Sequence, residues 1–163
     1  MRAEARDYGR IAGGSSLKMR SFTKSIHIDS PPETIWNVMT DVEHWPDWTR
    51  SITTLKRLDP GPFAVGSRAR IKQPKLLPAL WTVTRIDPGR SFTWMSGMPG
   101  FRAIGYHAVK PSANGSDVTL VVLFEGIFGG LAGLLLRKLN EEYLEMEATG
   151  LKGHCEKMSK SRP

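Results

Sequence analysis

Apolar Ile26 and Ile28 alternate with Ser25, His27 and Asp29, so Phe22 to Asp29 is read as a strand. Ser30-Pro31-Pro32-Glu33 follows, a capping-type serine, prolines preset for a first turn and an early acid, which together start a helix. Ile35, Trp36 and Met39 recur on it at helical spacing. In the next segment, Asp41 to Trp48, Pro46 breaks or restarts any helix. Six more strands are then predicted: Ser51–Leu58, Ser67–Gln73, Leu80–Ile86, Ser91–Ser96, Phe101–Lys110 and Asp117–Glu125. Their boundaries are turn clusters such as Asp59-Pro60-Gly61-Pro62, Asp87-Pro88-Gly89 and Asn114-Gly115. Short β segments without intervening helices indicate an antiparallel sheet of hairpins. The chain then changes period. Phe128, Leu131, Ala132, Leu135, Leu139, Tyr143 and Met146 form one helical stripe, with Arg137, Glu141 and Glu145 opposite. One helix from about Phe128 to Lys157 is expected, roughly 45 Å long at ~1.5 Å per residue, with Gly150 and Gly153 fraying or kinking its end.

Length changes this picture little: 163 residues suit one domain, which buries roughly two-thirds of its unfolded surface without a metal or disulfide staple. Charge matters more once it is located. Of the net +7, residues 1–24 carry +4 and residues 152–163 carry +3, and the stretch between them is balanced. A basic nucleic-acid-binding face is therefore not indicated, and no nucleic-acid partner is expected. Residues 1–20, with Gly13-Gly14-Ser15-Ser16, read as a flexible N-terminal extension; 21–157 form the domain, and 158–163 a basic tail. The extension has no apolar core of the secretory type, and Met19 is an alternative start. No apolar run approaches the ~20 residues of a spanning helix, so stable membrane insertion is not expected. A single cysteine excludes an internal disulfide framework and fits a reducing compartment, so a cytoplasmic location is expected.

The order strand, two short helices, six strands and long helix resembles the START-like helix-grip (SRPBCC) superfamily, and within it the polyketide cyclase/dehydrase-like branch. Four segments carry the resemblance. Ile28 to Trp36 is similar to that family's strand-to-helix entry, and Asp41 to Trp48 to its short second helix. Val65-Gly66-Ser67-Arg68 resembles the turn into the third strand, and Trp81 to Thr84 with Asp87-Pro88-Gly89 the next hairpin. The resemblance covers about residues 22–157. It implies an α+β helix-grip fold: a curved antiparallel sheet of about seven strands wrapped around a long C-terminal helix, with two short helices after the first strand. It also implies a cavity between sheet and helix. Since one fold hosts many activities, the resemblance leaves chemistry open.

Candidate site residues follow from that layout. All five tryptophans fall between residues 36 and 94, and each can bury ~150–250 Å², worth at most about 4–6 kcal/mol. Trp36, Trp45 and Trp48 read first as core, with the last two closing the barrel mouth. Trp81 and Trp94 alternate with threonines and are expected on the concave side, where Phe92 and Phe124 would complete an aromatic wall. Leu135, Leu139 and Tyr143 would face it from the helix. His107 is in phase with Ala103, Gly105 and Val109. If that face is concave, the small residues leave room beside an imidazole able to bind a ligand or move a proton. If it is convex, Tyr106 takes the inward role. Both faces are partly apolar, so parity does not choose between them. His27 is expected to be exposed, and His44 reads as a rim residue. Glu142 reads either as a buried acid or as a surface partner of Lys138. His154 and Cys155 project in different directions on a helix, so no metal site is expected. No phosphate loop, dinucleotide fingerprint or nucleophile elbow occurs, and no cofactor is expected.

The leading expectation is a binder of a small hydrophobic molecule, lipid-like, aromatic or polyketide-like. The alternative is a cyclase or dehydratase in the same cavity, with His107, Tyr106 and Tyr143 as acid/base candidates. The third is a ligand-free interaction module, marked by a filled core and an exposed apolar patch.

Overall fold

The computed structural model describes residues 20–161. Residues 1–19 of the expected 1–20 extension and the last two residues of the basic tail lie outside it, and Arg20 belongs to the first strand. The chain runs β1 (Arg20–Ile28), α1 (Pro32–Thr40), a 3-10 helix (Val42–Asp47), β2 (Thr54–Arg57), β3 (Arg68–Lys72), β4 (Ala79–Asp87), β5 (Ser91–Met98), β6 (Phe101–Ser112), β7 (Gly115–Glu125), α2 (Gly129–Leu135) and α3 (Arg137–Lys160). The seven strands form one open antiparallel sheet in the order β1-β7-β6-β5-β4-β3-β2. Only β1 and β7 are neighbours without being consecutive, so the sheet folds as a run of hairpins whose first strand joins the last. A register shift between Val83 and Arg85 bends β4 and adds curvature. The fold is the helix-grip arrangement, with α3 held in the curve of the sheet and α1 and the 3-10 helix closing one end.

Why the strands bury the face they do is visible at β6. Ala103, Gly105, His107 and Val109 are buried, whereas Ile104, Tyr106 and Ala108 are half-exposed. On β7 the buried set includes Val118, Leu120 and Phe124. His107 therefore points into the fold and Tyr106 away from α3, which resolves the parity left open by the pattern. Gly105 is required there: a Cβ on it would lie 2.4 Å from the Trp94 indole nitrogen.

The C-terminal helix departs from expectation. It is two helices, broken at Leu136, whose backbone (φ −97°, ψ 9°) leaves the α region. The expected stripe is correspondingly displaced. Phe128, Leu131, Leu135 and Met146 are exposed at 57, 58, 74 and 37%. The buried side of α3 is instead Asn140, Tyr143, Leu144, Ala148, Leu151 and Cys155. The physical reason lies in α2. Gly129, Gly130 and Gly133 face inward because the backbone sits against β7 and β1. A Cβ at Gly129 would lie 3.1 Å from the Phe124 backbone, and one at Gly133 2.8 Å from the Arg20 side chain. Leucines cannot occupy that gap, so they turn outward. Gly150 and Gly153 do not end α3, which continues through both to Lys160. Gly150 instead admits the Trp48 carbonyl, 2.1 Å from where a Cβ would be.

The core is continuous across the layers. Ile35 and Met39 of α1, Trp45 of the 3-10 helix, Phe92 and Trp94 of β5 and Leu151 of α3 are all under 5% exposed. Burial of this kind is the main favourable term in folding.

Candidate functional site

Between the sheet and the first half of α3 lies a cavity of about 80 Å³. Its aromatic wall is built by three tryptophans from three elements. Trp45 comes from the 3-10 helix, Trp81 from β4 and Trp94 from β5. Their rings pack edge to face or tilted, with centroids 5.2 Å apart for Trp45–Trp94 and 5.5 Å for Trp81–Trp94. Trp45 is fixed by its indole N–H, which donates to the Met39 carbonyl at 3.1 Å. Gly105 has no side chain, so the Trp94 ring packs directly against the β6 backbone there.

The opposite wall is polar. His107 of β6 and Glu147 of α3 meet across the cavity, with Nε2 2.7 Å from Oε1. Their side chains are only 7 and 13% exposed. A carboxylate oxygen accepts, so the proton of a neutral imidazole sits on Nε2 and Nδ1 is the basic nitrogen. The His107 ring stacks on Phe92 at 4.6 Å and 4° and lies 5.1 Å from Trp45, which holds its plane. Among the described residues, His107 Nδ1 and Asn140 Nδ2 have no hydrogen-bond partner although both are buried. Tyr143 also lines the cavity, and its hydroxyl donates to the Pro74 carbonyl in the β3–β4 loop. Burial, helped by the nearby Glu142 charge, pushes the Tyr143 hydroxyl above its ordinary range, so it stays a donor.

Of the residues expected here, Trp81, Trp94, His107 and Tyr143 line the cavity. Phe92 forms a second layer behind His107. Phe124 does not reach the cavity; it is buried beneath α2 with Phe22 and Phe101, at 6.2 and 5.7 Å. Tyr106 lies on the other face of the sheet, and Leu135 is on the surface of α2. Leu139 is half-buried outside the lining. His27 and His44 are exposed, paired with aspartates and not among the lining residues. The sequence pattern does not single out Glu147, Asn140 or Trp45 as site residues. The first two stand at helical spacing from Tyr143, four residues after it and three before. A stripe traced through those polar positions finds them, whereas a stripe traced through the leucines passes them by. Among the described residues, no group of metal-ligating side chains is gathered.

The architecture is that of a START-like helix-grip protein with a small, half-aromatic, half-polar cavity. The chain belongs to the polyketide cyclase/dehydrase and lipid transport family, whose model matches residues 19–156. No curated protein matches it. Solved structures with the same fold include TTHA0849 from Thermus thermophilus, at 22% identity and a TM-score of 0.70 over 88% of this chain and all of that one. A START superfamily protein from Mycobacterium smegmatis is 18% identical, with a TM-score of 0.70 over 85% of this chain and 98% of its own. The Zhui aromatase/cyclase from Streptomyces sp. R1128 is also 18% identical, with a TM-score of 0.67 over 88% and 97%.

Proposed function

We propose that this protein binds a small, planar, mostly apolar molecule bearing at least one oxygen, held between the tryptophan wall and the His107–Glu147 pair. The observation that carries this is the juxtaposition itself. Burying an imidazole and a carboxylate beside three tryptophans costs free energy unless each is paired, and a buried polar atom without a partner costs about 1–3 kcal/mol. His107 Nδ1 and Asn140 Nδ2 are two such atoms in side chains that line one cavity. A ligand hydroxyl can donate to the unprotonated His107 Nδ1 and accept from Asn140 Nδ2.

The cavity is smaller than the ~300–1,000 Å³ of pockets that enclose drug-sized ligands. Benzene fills a cavity of about 150 Å³, so even a molecule of one or two rings requires the lining to move outward. The Tyr143–Pro74 hydrogen bond ties α3 to the β3–β4 loop and is one contact such a movement would break.

A second reading is favoured by the same pair. An imidazole oriented by a carboxylate in a water-poor site is a general acid/base. On a β-hydroxy carbonyl compound it would take the α proton, the α–β double bond would form as the C–O bond breaks, and the imidazolium would return the proton to the leaving hydroxyl as water.

The test is titration with 2-naphthol, read by tryptophan fluorescence. Saturable quenching is expected in the wild type. Glu147→Gln, which keeps the shape and removes the charge, should weaken binding by about tenfold, the worth of one charge-assisted hydrogen bond. Absence of saturable quenching, or equal affinity in Glu147→Gln, would contradict the proposed site.

A further inference from the structure

Helix α2 has its amphipathicity inverted. Its glycines face the fold, and Leu131, Leu134 and Leu135, at i, i+3 and i+4, face outward at 58, 52 and 74% exposure. Ile127 and Phe128, just before it, are exposed at 65 and 57%. Met98, the last residue of β5, is 69% exposed, and the turn that follows it is joined to the same cluster. The Phe128 N–H donates to the Gly100 carbonyl at 3.1 Å, and the Phe128 ring lies 3.0 Å from where a Gly100 Cβ would be. Six large apolar side chains thus form one cap at one end of the molecule. A folded chain gains nothing from presenting them to water, and clustered exposed apolar side chains mark contact surfaces.

Charge indicates what the contact is. The cap is bordered by Arg20, Arg102, Arg137 and Lys138, all exposed. Glu125 faces Arg102 at 3.4 Å and Glu141 faces Arg137 at 3.0 Å, so these two cations are partly matched. The excess comes from the N-terminal side. Arg20 opens β1 directly beneath Gly133 of α2, so residues 1–19 join the fold beside the cap. Residues 1–24 carry the +4 net charge noted above. The other basic segment, at the end of the 24-residue α3, is roughly 36 Å of helix away. An apolar cap bordered by exposed Arg20 and Lys138 matches the two signals, apolar and basic, that hold a peripheral protein on an anionic bilayer. Among the described residues no helix is long and apolar enough to cross a membrane, so the contact lies on the surface.

We propose that α2, with Ile127, Phe128 and Met98, docks this protein reversibly on anionic lipid bilayers. The proposal is independent of what the cavity holds. The experiment is co-sedimentation of the full chain with vesicles of phosphatidylcholine alone and of phosphatidylcholine with phosphatidylglycerol. Binding is expected on the anionic vesicles, weaker on the neutral ones and reduced by added salt. The double variant Leu131→Glu/Leu135→Glu changes only exposed positions, so it should keep the wild-type melting temperature and lose vesicle binding by about tenfold or more. Three results would overturn the proposal. One is no binding to anionic vesicles. Another is binding that the double variant leaves intact, which would assign it to the basic segments alone. The third is a concentration-dependent dimer that the double variant abolishes, which would make the cap a contact between two copies. None of these outcomes bears on 2-naphthol binding, so the two proposals fail separately.

Discussion

At Gly105 strand β6 carries no side chain, and the Trp94 indole occupies the gap, giving the cavity its aromatic wall. Two residues further on, His107 turns the same strand face polar, and Glu147 answers it from α3. The chemistry of the site therefore depends on few side chains, each set by its neighbours. Cys155 shows the converse: fully buried, with its thiol pushed up to about 12 by burial and then by Glu156, it is a packing residue and not a nucleophile. His27 is different again. It is exposed, with Asp117 at 3.0 Å and Asp29 at 3.1 Å, and its hydrogen bond to Asp117 is the largest cause of a pKa raised above 6.5. A raised folded-state value means that the protonated form is favoured by folding. Its contribution is therefore present below 6.5 and lost as pH rises through the folded value. The difference in melting temperature between wild type and His27→Gln should accordingly be larger in buffers well below pH 6.5 than in buffers well above it. It should stay small throughout, since solvent screens an exposed pair. An unchanged difference across that range would contradict the assignment.

The elements divide by how openly the chain announces them. The strands were legible because two-residue alternation and Pro/Gly turns mark them, as in Arg68–Lys72, where Ala69 and Ile71 are buried between exposed Arg68 and Arg70. Helix α1 was legible from Pro31-Pro32-Glu33, with Pro32 at its first position. The break at Leu136 was not, because no proline or glycine marks it and a leucine-rich run continues the helical period. Close packing of α2 on β7 and β1 reverses its faces, and closeness of that kind has no signature in spacing alone. The site was half legible for the same reason. Trp81, Trp94, His107 and Tyr143 stood in phase with recognisable patterns, whereas Asn140 and Glu147 lie on the polar side of the leucine stripe. The two helices should also behave differently. Beneath α2 the inward residues are glycines, whereas α3 buries Leu144, Ala148 and Leu151. Amide exchange should therefore be faster throughout α2 than in the middle of α3, and equal protection would show that the two open as one unit.

At the scale of the molecule, the open seven-stranded sheet, α1 and the 3-10 helix enclose the small interior space described above, and α2 caps the neighbouring end. An interaction module without ligand was expected to have a filled core and an exposed apolar patch. This protein has the patch and also a cavity, so the two features are assigned separate roles: bilayer contact for α2, ligand binding for the space beside α3. The central claim is that the cavity is occupied in use. Its most direct test is native mass spectrometry of the protein purified from its own host, with organic extraction of whatever it carries. A stoichiometric, planar, oxygen-bearing apolar molecule, lost on Glu147→Gln, is the predicted result. A carried molecule retained equally by Glu147→Gln would contradict the site, because the polar wall would then be irrelevant to what the cavity holds.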